Sequence, residues 1–574
     1  MLHGLIAQLA EFFDEEFLDL VGRERLGVLR LAQRRDGFDA LEKLRVIAQH
    51  GEQTFFTRGI DGRTMVGIHG FDKVSMKEKK YSYGIYNLPP FPTSPPISGW
   101  HQFQSHPPWP LQRTPIGLRT RGMYSPAMST LSHLQRLDAE HQLHPFTNHE
   151  ELHAAGTHII GEGEGVWLTD QNGRRLLDGL AGLWCVNVGY GRPELIRAAT
   201  EQMKRLCYYP SFFNTTTEPA IELAAKLSAL TPARLNHAMF SNSGSEANET
   251  ALKLIRGYWK LKGQPHRTKI ITREFAYHGV TLATASMTGL PSCQTPFDLP
   301  LPGFLHAPAP HAYAVNREGD RDAHADWCIA ETARLIEREG PETIGAIFAE
   351  PIQGAGGVIV PPPGYLAKLR ALARQHGILF VADEVITAFG RLGAWFASDI
   401  WNLDPDLMCL AKGLTSGYLP LGATMVADEV ADVLIHGGYL AHGFTYSGHP
   451  VPCAVALANI AVIENEHLVE RVSDDVGPYF QQQLQSFAKH PAVAEIRGCQ
   501  LIGAMELVPR GGKSALTPTS ALGIRGSKLV REEGVIVRGI RDLIAIAPPL
   551  TITRGEIDVI FAAVARALDR LWDH

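Results

Sequence analysis

Three polar residues each follow a short apolar run: Glu350 after "AIFA", Asp383 after "ILFVA" and Lys412 after "LMCLA". A lysine ammonium is costly to bury. Lys412 is therefore either a solvated strand end or a residue kept in a pocket because its amine is used. One strand-end carboxylate means little by itself. Two carboxylates and a lysine, each just past a separate apolar strand, converge along one sheet edge and favour the second reading. The stretch "FSNSGSEANE" (240–249) places small residues ahead of a helical pattern. Its backbone N–H groups, the Ser243 and Ser245 hydroxyls and the helix N-terminus can face one point and hold a phosphate. A flexible Ser-Gly-Ser loop is the alternative, and no Gly-Lys-Ser/Thr closes a P-loop. In "EFAYHG" (274–279), Tyr277 sits just past a strand, where its ring suits stacking on a planar ligand or ordinary packing.

A phosphate cup, a stacking ring, a carboxylate and a primary amine ask for one kind of ligand. It is aromatic and phosphorylated, forms an imine with lysine, and has a ring nitrogen that a carboxylate keeps protonated. Pyridoxal 5′-phosphate meets all four requirements.

The elements that must position these groups follow a rhythm. "RTKIITREF" (267–275), "TIGAIFAEPI" (343–352), "HGILFVADEV" (376–385) and "PDLMCLAKG" (405–413) are short, apolar and bounded by turn residues, as expected for strands buried on both faces. Between them, "ANETALKLIRGYWKLKG" (247–263) and "GYLAKLRALARQHG" (364–377) carry helical spacing, with Leu252, Ile255, Tyr258 and Trp259 apolar in the first and Leu366, Leu369, Leu372 and Ala373 in the second. Strands alternating with helices predict an α/β fold with a mostly parallel sheet covered on both faces, an α+β mixture being the alternative. Such sheets bind ligands outside the carboxyl ends of their strands, where the polar residues fall.

Composition narrows the function. A chain of 574 residues implies two or more domains, or one large domain with appendages. A formal charge of −6 gives no general affinity for nucleic acid or anionic lipid. The seven cysteines are scattered and never in CxxC spacing, so neither a disulfide framework nor a metal site is expected, and a reducing, cytoplasmic setting fits. The N-terminus lacks a basic n-region, and no apolar run is long enough to span a membrane.

From about Ser132 onward the chain resembles the class III, fold-type I aminotransferases, and among them the ω-aminotransferases that use pyruvate. The resemblance rests on "HPFTNHEEL", "DGLAGLWCVNVGYGR", "FSNSGSEANE", "YHG", "FAEPIQGAGGVIVPPPGY", "LFVADEV", "LAKGLTSGYLPLG", "HGFTYSGHP" and "APPLTITRGEID", which keep the family's order through the whole globular part. It implies a large domain (189–449) with a mostly parallel central sheet, and a smaller α+β domain built from both ends of the globular part (128–188 and 450–574). Lys412 then corresponds to the lysine that binds pyridoxal 5′-phosphate, and Asp383 to the partner of its ring nitrogen. Val385 and Tyr277 are expected at the ring faces, with His278 and Glu350 near the cofactor. Ser243, Gly244 and Ser245 would hold the phosphate. Thr445 would reach the cofactor of a neighbouring subunit, which implies a homodimer or a dimer of dimers.

Trp184, Phe212, Phe444 and Phe146 match an aromatic-lined substrate pocket, and Arg538 matches the mobile arginine that receives the keto acid's carboxylate. A second arginine, Arg541, stands where related sequences tend to have glycine. The implied reaction is a ping-pong transfer of an amino group to pyruvate from an ω-amino acid, diamine or other primary amine: β-alanine, taurine, putrescine-like, long-chain and aryl-alkyl amines all suit such a pocket. An aminomutase or racemase would use the same lysine and aspartate, but "LWCVNVGYGR" favours transamination. A ligand-sensing regulator with a DNA-binding head is disfavoured, because the first fifty residues carry seven Lys+Arg against nine Asp+Glu.

The resemblance does not reach the first part of the chain. Residues 1–80 are expected to be a partly helical, non-native extension, a real accessory domain being the alternative. Residues 81–127 hold ten prolines between Pro89 and Pro126 and are expected to be an extended or disordered linker. Met128 then stands as a plausible start. Protein expressed from Met128 is expected to keep the specific activity of the full chain; loss of activity or solubility would refute the extension.

Overall fold

The computed structural model describes residues 131–316, 318–517 and 520–573, and the backbone of two short strands nearer the N-terminus. The chain divides into two units, 1–117 and 118–574. In the first, Phe55–Arg58 pairs antiparallel with Met65–Ile68. The helical reading of residues 1–50 and the proline-rich linker at 81–127 lie outside the described residues.

In the second unit the central sheet has seven strands: β1 (His237–Ser241), β2 (Lys269–Arg273), β3 (Phe304–Ala307), β4 (Ile344–Ala349), β5 (Leu379–Asp383), β6 (Leu407–Leu410) and β7 (Gly422–Val426). Their order is β1-β7-β6-β5-β4-β2-β3. Strands β3, β2, β4, β5 and β6 pair parallel, whereas β7 is antiparallel to both neighbours and alone runs against the rest. The four strands expected from the sequence are β2, β4, β5 and β6. The reading did not include β1, β3 and β7.

Every residue of β4, β5 and β6 is buried. Successive side chains point to opposite faces. Phe348 and Val381 pack with Ala247, Ala251, Leu254 and Ile255 of the helix Gly244–Leu261. Their neighbours Ile347 and Phe380 pack with Leu366, Leu369, Leu372 and Ala373 of the helix Tyr365–Gln375. Each fully buried large apolar side chain contributes roughly 1.5–3 kcal/mol, so the two layers clamp the strands from both sides. Register then aligns their carboxyl ends: Ala349 pairs with Ala382, and Asp383 pairs with Cys409. Glu350, Asp383 and Lys412 therefore leave the sheet along one edge.

The two ends of this unit meet in one of two smaller sheets. Val535–Ile536 pairs parallel with Arg175–Asp178, which continues antiparallel through Trp167–Asp170 to Ile160–Glu164. Arg538–Ile540 joins an antiparallel sheet with Leu543–Ile546, Ile502–Leu507 and Val493–Cys499. The pairing of Ile536 with Asp178 puts the segments leading to Arg538 and Trp184 side by side. All seven cysteines are free thiols. Among the described residues no helix is long and apolar enough to cross a membrane.

Candidate active site

The phosphate cup begins where β1 gives way to the helix Gly244–Leu261. Ser243 is the N-cap, and its hydroxyl accepts the Glu246 N–H at 3.2 Å. The Glu246 carboxylate folds back onto the Asn242 N–H (2.7 Å) and its side-chain amide (2.8 Å). The first N–H groups of a helix have no carbonyl partner within it, so those of Gly244 and Ser245 are available to an anion. Gly244 is required by contact: a Cβ there would lie 2.9 Å from Val385 Cγ1. Ser245 Oγ accepts the Val280 N–H at 3.2 Å, which ties the loop after Tyr277 to the same helix end. Gly422, the first residue of β7, leaves room for this turn, since a Cβ there would lie 2.4 Å from the Ser243 carbonyl oxygen.

Asp383 is buried and held by three donors. Its Oδ2 accepts Asn248 Nδ2 at 2.8 Å and lies 2.7 Å from His278 Nδ1, and its Oδ1 accepts the Val385 N–H at 3.2 Å. The His278 ring thus faces Asp383, and its Nε2 is buried without a hydrogen-bond partner. The next residue, Glu384, points the other way and caps the backbone N–H groups of Ala397 (3.0 Å) and Ser398 (2.6 Å). Glu350 accepts the N–H of Tyr277 at 2.9 Å and of Gly354 at 3.1 Å, so it braces the Tyr277 backbone. Burial pushes the Glu350 carboxyl up from its usual range.

Lys412 follows β6 with a left-handed φ of 45°. Burial lowers its amine from the ordinary 10.5; Asp383, Cys185 and Glu350 oppose that shift and Arg538 adds to it. Its Nζ lies 5.8 Å from the centroid of the Trp184 ring, and Arg538 Cζ lies 4.9 Å from the same ring. Trp184 is 2% exposed and its Nε1 has no hydrogen-bond partner. The turn that carries it is strained, with positive φ at Ala181 (50°), Gly182 (66°) and Trp184 (57°). Asp178 holds that turn: its carboxylate accepts the N–H of Leu180 (2.9 Å) and Gly182 (2.6 Å) and the Tyr190 hydroxyl (2.6 Å). Desolvation lowers the Arg538 guanidinium, with Tyr277 and Cys293 opposing; desolvation also raises the Tyr277 phenol, with Cys293 adding to the rise and Arg538 opposing it.

The structure therefore brings Lys412, Asp383, Val385, Ser243, Gly244, Ser245, Tyr277, His278, Glu350, Trp184 and Arg538 to one sheet edge. The other expected residues have different neighbours. Phe212 packs on Gly443, where a Cβ would lie 2.9 Å from its Cζ. Phe444 stands edge-on to His442 with ring centroids 5.3 Å apart. Thr445 is exposed, and its carbonyl accepts the Tyr208 hydroxyl at 2.7 Å. Phe146 is 77% exposed. No ring contact among the described residues joins the three phenylalanines to Trp184. Arg541 is exposed and lies over Phe275, 5.6 Å from its centroid, rather than over Trp184. The sequence reading missed Asn248 and Asp178. Asn248 sits four residues after Gly244, on the same face of the helix, and Asp178 directly precedes "GLAGLW".

The family profile described as aminotransferase class-III matches residues 149–568. The chain belongs to the class III aminotransferases. Its relatives include the putrescine–pyruvate aminotransferase of Pseudomonas aeruginosa, 43% identical over 436 residues that cover 76% of this chain and 96% of that one. They also include the mitochondrial gamma aminobutyrate transaminase 1 of Solanum lycopersicum, 43% identical over 74% of this chain and 84% of that one. Among solved structures, a thermostable (S)-enantioselective omega-transaminase from Thermomicrobium roseum is 45% identical with a TM-score of 0.74, covering 77% of this chain and 98% of its own. The omega transaminase of Pseudomonas jessenii in complex with PMP is 42% identical with a TM-score of 0.75, over 77% of this chain and 98% of its own. This class III aminotransferase thus has the fold-type I architecture, catalyses transamination and depends on pyridoxal 5′-phosphate. The residues present fit that cofactor: a helix N-terminus for a phosphate, a carboxylate held by donors for a ring nitrogen, and a buried amine beside both.

The depressed Lys412 value has a thermodynamic consequence. Between the native value and 10.5 the unfolded chain holds more protons at this site, so stability rises with pH across that window; below the native value the whole cost persists. In the cofactor-free protein, Lys412→Met is expected to raise the unfolding midpoint at neutral pH, with a gain that shrinks as pH approaches 10.5. A gain that is absent at neutral pH, or grows with pH, would contradict the burial of this amine.

Proposed function

We propose that this aminotransferase moves an amino group from a diamine, ω-amino acid or other primary amine to pyruvate in a ping-pong cycle, with Lys412 at its centre. When bound, pyridoxal 5′-phosphate supplies an aldehyde and a ring that accepts an electron pair. Ser243, Gly244 and Ser245 bind the phosphate. Asp383 orients the ring by holding a proton at its nitrogen, and His278 and Asn248 act through Asp383 by keeping its carboxylate in place. Tyr277 and Val385 confine the ring, and Glu350 holds Tyr277 in position. The Lys412 amine, whose protonation burial disfavours, takes a proton from the substrate carbon and returns one in the second half of the cycle.

The observation that carries this reading is that Lys412 and Arg538 meet one indole, that of Trp184. An aromatic wall suits an amine without a carboxylate on its reacting carbon, and an arginine stacked on that wall suits a keto acid. The relative named for putrescine and pyruvate supports the same pair of substrates. Thr445 serves a neighbouring subunit's cofactor; its exposure, beside Phe212 and Phe444, supports a homodimer or a dimer of dimers.

Alanine is expected to form from pyruvate when putrescine or gamma-aminobutyrate is supplied, with parallel double-reciprocal lines. Arg538→Ala is expected to raise the pyruvate KM about 10- to 100-fold, the worth of one charged hydrogen-bonded pair, while the amine KM changes little. Intersecting lines, or an equal effect of Arg538→Ala on both substrates, would contradict the assignment.

A further inference from the structure

The helix Pro450–Asn465 buries Val451, Val455, Ala456, Ile460, Val462 and Ile463, and among its buried residues the one amide is Asn459. A buried amide is costly unless its polar atoms find partners. Here every partner comes from the turn behind Lys412. Asn459 Nδ2 donates to the carbonyls of Gly413 (2.8 Å) and Leu414 (3.1 Å), and its Oδ1 accepts Ser416 Oγ at 2.6 Å. Ser416 Oγ also accepts the Val188 N–H at 3.2 Å. Asn459 is 0% exposed and Ser416 1%.

The turn these bonds hold is not one the chain adopts readily. Lys412 (φ 45°) and Ser416 (φ 48°) both stand in the left-handed region, which disfavours residues with a Cβ. Such conformations persist where the surroundings over-determine them. The opposite side of the turn is closed as well. A Cβ on Gly413 would lie 2.6 Å from Asn187 Nδ2, and Asn187 is itself fixed by the Phe389 carbonyl (2.9 Å) and Arg391 Nη2 (3.0 Å). The turn is thus gripped between two buried amides on separate segments. Among the described residues no hydrogen bond fixes the Lys412 side chain, so its direction follows from its backbone and its contact with Trp184.

We propose that Asn459, acting with Ser416, is a positioning residue for transamination: it locks the Lys412–Ser416 turn in the left-handed form that aims the amine into the site, and so sets the rate at which Lys412 moves the substrate proton. This rests on the role given to Lys412 above. Asn459→Asp keeps the shape and turns the donor into an oxygen facing two carbonyl oxygens. It is expected to lower kcat about 10- to 100-fold with the amine KM little changed, and to enlarge the deuterium isotope effect at the proton-bearing carbon. In the cofactor-free protein, hydrogen exchange of amides 413–416 is expected to accelerate at least about tenfold while the amides of β5 stay protected. Ser416→Ala is expected to shift each readout in the same direction by less, and it carries the test if Asn459→Asp fails to fold.

A double substitution separates positioning from general support. With Lys412→Ala and methylamine as the external base, adding Asn459→Asp is expected to cost nothing further, because no lysine is left to aim. A loss that persists in that background would overturn the proposal, as would an unchanged kcat and isotope effect in both single variants. Full activity of Lys412→Ala would instead overturn the role of Lys412 itself.

Discussion

Lys412 leaves the sheet at a point where burial works against its charge and the two nearest strand-end carboxylates are committed elsewhere. Asp383 is engaged by His278, Asn248 and the Val385 N–H, and Glu350 by the N–H groups of Tyr277 and Gly354. They act on the amine only through space, and their attraction falls short of the desolvation cost. An amine kept short of its proton is a nucleophile and a base. The apolar strands, the two helix layers and the gripped turn all serve to keep it there. If the carboxylates were free to swing onto Lys412, the amine would be a paired ammonium and the site would lose its reagent.

In the proposed function, substrate discrimination rests on a different constraint, the meeting of the two ends of the aminotransferase unit. Val535–Ile536 pairs with Arg175–Asp178, and from that seam one strand leads to Arg538 and the other to the Trp184 turn. Asp178, buried at the seam, fixes the turn with two hydrogen bonds and is itself braced by the Tyr190 hydroxyl. The indole then lies beside both the buried Lys412 amine and the Arg538 guanidinium, a group suited to a carboxylate. One wall can meet an apolar amine and a charged keto acid in turn, provided the guanidinium can stack on the ring or leave it.

Sequence pattern revealed the strands that carry the chemistry because they are buried on both faces and so read as uninterrupted apolar runs. The same pattern missed β1, which begins exposed, β3, which is only half buried, and β7, whose glycine and threonine dilute its signal. Lys412, Asp383 and Glu350 were legible because each is polar directly after such a run. Asn248, Asp178 and Asn459 act on other site residues and carry no spacing of their own. Asn459 does leave a trace, as the one amide inside the apolar run "AVALANIAVI" (454–463). Arg541 resembled Arg538 in sequence, and only its backbone, with φ 50°, turns it toward Phe275. Phe146, Phe212 and Phe444 were expected at the pocket through the family resemblance alone, and among the described residues none of them makes a ring contact with Trp184.

The most direct measurement is borohydride reduction of the protein after incubation with pyridoxal 5′-phosphate, followed by peptide mass mapping. The phosphopyridoxyl mass should appear on the peptide containing Lys412 and be absent from other lysines. Label on a different lysine, or none at all, would contradict the placement of this amine at the centre of the site.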